Sequence, residues 1–164
     1  TIDYMSKKLK TPAKKILEVC TSKHNLLDLW SADINQEMLK NISKDELKEV
    51  SIKERLLELM LCRFDALSNR KKETNAFVKL SKLNIKESKN SIFRVYKAME
   101  LICNYAGITI KGPKGLLKLK GLVVIWIIVF MDWQKHGMDN EDILLSKLDK
   151  NLSYAEKFKN TFIN

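Results

Sequence analysis

The chain has 164 residues, of which 45% are hydrophobic and 30% charged, and a net charge of +10. That mixture suits one globular domain with a sizeable core and excludes a disordered chain. Five glycines, two prolines and no run alternating apolar with polar at a period of two exclude a β-rich fold and predict an all-α one. Residues 2–9 read as a short helix. Thr11-Pro12 opens the next, "TPAKKILEVC", with Thr11 as N-cap and Pro12 in the first turn. "SKHNLLDLWSADINQEMLKNI" follows, with Leu26, Leu27, Trp30, Ile34 and Met38 on one stripe. Ser43 with Glu46, and Ser51 with Glu54, both have the spacing of a capping box. The second box opens "SIKERLLELMLCRFDAL", a helix apolar on more than one side. "NRKKETNAFVKLSKL" carries an apolar edge at Ala76, Phe77, Leu80 and Leu83. "SKNSIFRVYKAMELICNYAGI" has Ile92, Val95, Met99 and Ile102 on its stripe and ends at Gly107. A Lys/Gly loop, "TIKGPKG", leads into an apolar helix. Gly137 stops that helix with a left-handed turn, and Asp139 or Asn140 caps the last one.

The apolar run "GLVVIWIIVFMDW" needs its own explanation. From Gly121 to Met131 it would extend about 16 Å as a helix, whereas a membrane span needs about 20 residues for a core of about 30 Å. A helix apolar all round must be surrounded by protein, or by protein and a ligand. Either a lone domain buries it centrally, or one face is left for a partner subunit or a bound apolar molecule. The last two helices form an antiparallel hairpin, and two such hairpins around a twofold axis make a four-helix bundle. The expected interface residues are Trp126, Ile127, Phe130, Leu144, Leu148 and Leu152.

The positive charge gathers in two places, residues 1–24 and residues 111–120. Such surfaces attract nucleic acid phosphates, anionic lipid headgroups or acidic proteins, or are simply solvated. Cys20, Cys62 and Cys103 are far apart among apolar neighbours and read as buried thiols in a reducing compartment. His24 and His136 have no acidic or cysteine cluster at ligand spacing, so no metal is expected. No phosphate loop or nucleophile motif is present, and the chain reads as a non-enzyme without a cofactor. No signal-peptide pattern is seen, and the expected location is cytoplasmic.

The segment "MSKKLKTPAKKILEVCTSKHNLL", residues 5–27, resembles the second half of a TetR-regulator DNA-binding domain, with Ser22, Lys23, Leu26 and Leu27 matching the opening of its fourth helix. Lys10 stands where that turn has a small residue, and Leu17, Val19 and Cys20 replace the usual contacts and aromatic end. The resemblance implies a TetR-like bundle, with residues 1–24 as a partial, degenerate helix-turn-helix and residues 25–164 as a ligand-binding and dimerisation domain.

Within that fold, "LLDLWSADINQEML", "IKERLLELMLCRFDAL", "YKAMELICNYAGIT" and "SKLDKNL" resemble the ubiquinone-biosynthesis accessory protein family of alphaproteobacteria and mitochondria. Arg63 with Leu67, the Ala106-Gly107-x-Thr109 turn, Lys118 and Trp133 carry the match. This implies a homodimer that holds an isoprenoid or other long apolar ligand between helices and presents it to a membrane-associated hydroxylase. The family's acidic and aromatic residues after the turn are here basic and leucine-rich: Lys111, Lys114, Lys118 and Lys120 around Leu116, Leu117 and Leu119. They form a candidate peripheral-membrane or partner surface at the inner membrane. The expected ligand lining, read from the surplus of soft apolar side chains on three central helices, is Leu57, Met60, Leu61, Phe64, Met99, Ile102, Cys103, Val124 and Ile128. The alternative is a TetR-type DNA-binding regulator with an apolar effector, using Lys14 and Lys15 on phosphates. A third reading keeps the fold only as a protein–protein dimer with a filled core.

Overall fold

A computed structural model of the chain describes residues 6–8, 10–40, 42–81, 85–138 and 140–162. The expectations for residues 2–5, Leu83 and Asp139 lie outside the described residues. The fold is all-helical: among the described residues no strand occurs. After a helical turn at residues 6–8 come α1 (Ala13–Val19), α2 (Lys23–Leu39), α3 (Lys44–Glu49), α4 (Ile52–Ser68), α5 (Lys71–Ser81), α6 (Ile85–Tyr105), α7 (Gly112–Lys135) and α8 (Glu141–Phe162).

Local chemistry sets most of the boundaries. Ser22 caps α2 by accepting from the Asn25 backbone N–H at 3.0 Å, while Asn25 Oδ1 accepts from the Thr21 N–H at 3.2 Å. The expected box at Ser51 and Glu54 is complete: the Glu54 N–H donates to Ser51 Oγ at 3.3 Å, and the Ser51 N–H donates to Glu54 Oε2 at 2.8 Å. Ser43 caps α3 through the forward half of its box, with the Glu46 N–H donating to Ser43 Oγ at 3.4 Å. Asn140 Oδ1 accepts from the Ile143 N–H at 3.1 Å and caps α8. Gly137 takes φ +85°, as the left-handed stop of α7 requires.

Two boundaries differ from the sequence expectation. Pro12, not Thr11, takes the N-cap position of α1; its carbonyl accepts from the Lys15 and Ile16 N–H groups. The second half of the stretch read as a Lys/Gly loop, from Gly112 to Gly115, is the first turn of α7, with Pro113 in that turn; Thr109 to Lys111 remain outside the helix. Gly115 lies inside this helix because its missing Cβ makes room for the Ile110 backbone. A Cβ there would stand 2.4 Å from the Ile110 carbonyl carbon.

The core is one cluster. Ile34 and Met38 of α2, Leu59, Met60 and Phe64 of α4, Met99 and Ile102 of α6, Leu119 and Val129 of α7, and Leu148 of α8 are almost fully buried. Phe64 stacks on Trp126 at 4.4 Å between ring centroids and meets the edge of Trp133 at 5.0 Å. Ile92 and Ala76, expected on apolar stripes, point outward; Arg94 and the pair Thr74–Val78 take the inward positions on their helices. Polar ties join the elements at the surface. Arg55 donates to the Lys48, Val50 and Ala106 carbonyls, holding the α3–α4 turn against the end of α6. Lys53 pairs with Asp149 at 2.6 Å, joining α4 to α8, and Lys147 pairs with Asp132 across the α7–α8 hairpin.

Candidate functional site

Three features of this fold can meet another molecule: the N-terminal helices, an apolar groove at the opposite end of α6, and an uncovered stripe along α7.

The first is built from a turn and two helices. The Thr11 N–H donates to the Ser6 carbonyl at 3.1 Å, and Ser6 Oγ donates to the Thr11 carbonyl at 2.7 Å, closing the turn that carries Lys10 at φ +50°. Ile16 and Cys20 then point inward from α1, while Lys14 and Lys15 are exposed on its outer side. Leu17 and Val19 are exposed as well. Three residues separate α1 from α2, whose first turn begins at Lys23. That turn is fixed to α6 by a buried guanidinium. Arg94 Nε donates to Asp28 Oδ1 at 2.6 Å, its Nη2 lies 2.8 Å from His24 Nδ1, and its plane lies over the Phe77 ring. The arrangement places two exposed cations on α1, and the helix that follows it is joined to α6.

The groove has a volume of about 930 Å³ and lies between the start of α4, the turn after α6, the middle of α7 and the second half of α8. Leu56, Cys103, Ile108, Leu117, Val124, Ile125, Ile128 and Leu152 line it, with Lys53, Lys118 and Glu156 among its polar groups. Gly107, at φ +79°, turns the chain along its edge. Of the residues expected to line a ligand site, Cys103, Val124 and Ile128 border this groove. Met60, Phe64, Met99 and Ile102 do not: they are packed against each other in the core. Leu57 and Leu61 are half-buried at the edge of the core and away from the groove lining. The sequence does not reveal the groove because its floor comes from four helices that are distant along the chain. Burial pushes the Cys103 thiol up to about 11, with Glu100 adding to the effect, so it is protonated and unreactive at neutral pH.

The third feature is the outer side of α7. Leu117, Gly121, Val124, Ile128 and Met131 follow one another at steps of four and three, and the four side chains are all at least 50% exposed. Trp126, Leu144, Leu148 and Leu152, expected at a subunit interface, are instead buried within the protomer, and Ile127 and Phe130 are half-buried beside them. A helix apolar on every side has one arc in the core and another uncovered, and only the packing of the other helices says which is which. Beside the stripe, Lys111, Lys114 and Lys120 are exposed with Leu116, and Lys118 is half-buried. No helix among the described residues is long and apolar enough to cross a membrane, and no group of three or more His, Cys, Asp or Glu among them could hold a metal ion.

The order of the helices, the turn before α1 and the α7–α8 hairpin can be compared with known structures. A crystal structure of a TetR transcriptional regulator from Nitrosomonas europaea ATCC 19718 superposes on this chain with a TM-score of 0.72, covering 96% of this chain and 86% of that one at 19% identity. The chain has the TetR-regulator fold. No family model matches the sequence, and no curated protein matches it, so the resemblance to the ubiquinone-biosynthesis accessory family gains no support beyond its short motifs. Within this TetR-like fold, α7 and α8 are the last two helices and pack against each other.

Proposed function

We propose that the chain is a DNA-binding regulator of the TetR type that works as a homodimer and responds to an apolar effector. The observation that carries this reading is α1 itself: a short helix after a tight turn, Ile16 and Cys20 inward, Lys14 and Lys15 outward, with the next helix joined to the core through Arg94. Phosphate contact by such lysines supplies affinity and makes it salt-dependent. The net charge of +10 supports the same partner.

The test is selection of bound duplexes from a random pool, followed by anisotropy titration across a salt series. A regulator of this kind selects a pseudo-palindrome with half-sites about one helical turn, or a multiple of it, apart. The double variant Lys14→Ala, Lys15→Ala should weaken binding to all duplexes and reduce the slope of log K against log salt by about 2 per protomer, since each lysine neutralises one phosphate. Absence of duplex binding by the unaltered protein at low salt would exclude this reading.

The groove favours a second reading, a lipid-binding accessory protein, of which the ubiquinone-biosynthesis type is the finer form. A groove lined largely by apolar side chains accepts an isoprenoid or acyl chain, and the lysines at the start of α7 suit an anionic membrane surface. Native mass spectrometry of freshly purified protein, with organic extraction, separates the two. A carried isoprenoid species, together with no DNA binding, would favour the accessory protein.

A further inference from the structure

Arg63 is the most isolated charge in the core. It lies in the middle of α4 with 4% of its surface exposed. Its Nη1 donates to Asn35 Oδ1, its guanidinium carbon stands 5.3 Å above the Trp126 ring, and its Nε has no hydrogen-bond partner. Among the described residues no carboxylate forms an ion pair with it. Burial alone pushes it down to about 10, which still leaves it charged at neutral pH. Two other arginines have a carboxylate partner: the equally buried Arg94 pairs with Asp28, although its Nη1 is also without a hydrogen-bond partner, and the half-buried Arg70 pairs with Asp33.

A buried cation kept without an anion is the arrangement that packed apolar residues of similar volume normally improve upon. The guanidinium fork suits a carboxylate with two parallel N–H groups, and here Nε is already free. The walls are apolar and flat: Trp126 beneath the guanidinium, with Phe64 and Phe130 against that ring. Asn35, the group that occupies Nη1, is itself half-buried, so the one hydrogen-bond partner of the guanidinium reaches the surface.

We propose that Arg63 anchors a binding site for a monocarboxylate with an apolar body, which enters beside Asn35, replaces that contact and lies against Trp126. The site rests on the regulator reading in one respect, since it names the chemical class of the effector.

The experiment uses matched pairs: benzoate with benzamide, and octanoate with octanamide, titrated into the full chain at constant ionic strength and followed by thermal melting and tryptophan emission. The expected result is a saturable rise in Tm and a change in emission with a carboxylate and not with its amide. Arg63→Met should weaken carboxylate affinity by about 10- to 100-fold, as removal of a charged hydrogen-bond partner does, while its ligand-free Tm stays at or above that of the unaltered protein. Arg63→Lys keeps the charge without the fork and should fall between the two; it also serves if the methionine variant does not fold. Equal responses to acid and amide, no response to either acid, or an unchanged response in both variants would overturn the proposal. Carboxylate binding without any duplex binding would leave Arg63 its ligand and remove the regulator. Duplex binding without carboxylate binding would do the reverse.

Discussion

At the scale of single residues, the glycines and the left-handed positions separate what can change from what cannot. Gly115 and Gly121 lie six residues apart in α7 and are chemically identical. A Cβ on Gly115 would meet the Ile110 backbone at 2.4–2.7 Å, whereas nothing stands within 4 Å of one on Gly121. Gly115→Ala should therefore cost about 1–3 kcal/mol by overpacking, read as a lower denaturant midpoint. Gly121→Ala should hold or raise the midpoint of the monomer, since alanine is the better helix former by about 1 kcal/mol. Equal midpoints for the two variants would contradict the placement of Ile110. Lys10 is the opposite case, a side chain on backbone at φ +50°. Lys10→Gly should stabilise the turn by removing a steric cost of about 1 kcal/mol, and protection of the Thr11 N–H, which donates across that turn, should increase in hydrogen exchange.

At the scale of the element, the caps were legible in the sequence and the burial pattern only partly so. A capping box is a local exchange between residues three apart, so Ser51 and Glu54 announce themselves without any knowledge of the fold. The start of α7 was not legible, because "KGPKG" has the composition of a loop and becomes helix only where Gly115 fits against Ile110. The inward arc of α7 was hidden for a different reason. With apolar side chains on every side, period 3.6 fixes the helix but not its rotation. The caps also give a pH dependence. Hydrogen bonding from the Ser51 side chain and backbone holds the Glu54 carboxyl below the ordinary glutamate value. Lys40 lowers Glu37, and Lys147 lowers Asp132, in each case first through a side-chain hydrogen bond. All three are acids with depressed folded values. Their stabilisation is present at neutral pH and is lost as pH falls through the lowered folded values. Ser51→Ala should cost about 1 kcal/mol at pH 7. Its deficit against the unaltered protein should shrink as acid protonates Glu54; a deficit independent of pH would mean that Glu54 does not take part.

At the scale of the whole molecule, the question raised by α7 is what covers its outer stripe. Leu117, Gly121, Val124, Ile128 and Met131 repeat at the four–three spacing of a helix–helix seam, and a continuous exposed apolar strip is unusual on a protein that remains alone. A second α7–α8 hairpin would complete a four-helix bundle, with open Gly121 allowing the two copies to come close. Ile128→Glu places a charge in the middle of this strip at a side chain already 53% exposed, so the protomer should keep its helical signal while the dimer dissociates. In sedimentation the unaltered protein should be a dimer at micromolar concentration with a Tm that rises with concentration, as mass action requires; the variant should be a monomer with a Tm that does not. An unaltered protein that sediments as a monomer at tens of micromolar would remove the partner from this face. Val124 and Ile128 also line the apolar groove, so a partner seated on the stripe would close the groove's outer side. Any apolar ligand held there would then be shielded from water only in the dimer, and Ile128→Glu should release it together with the partner subunit.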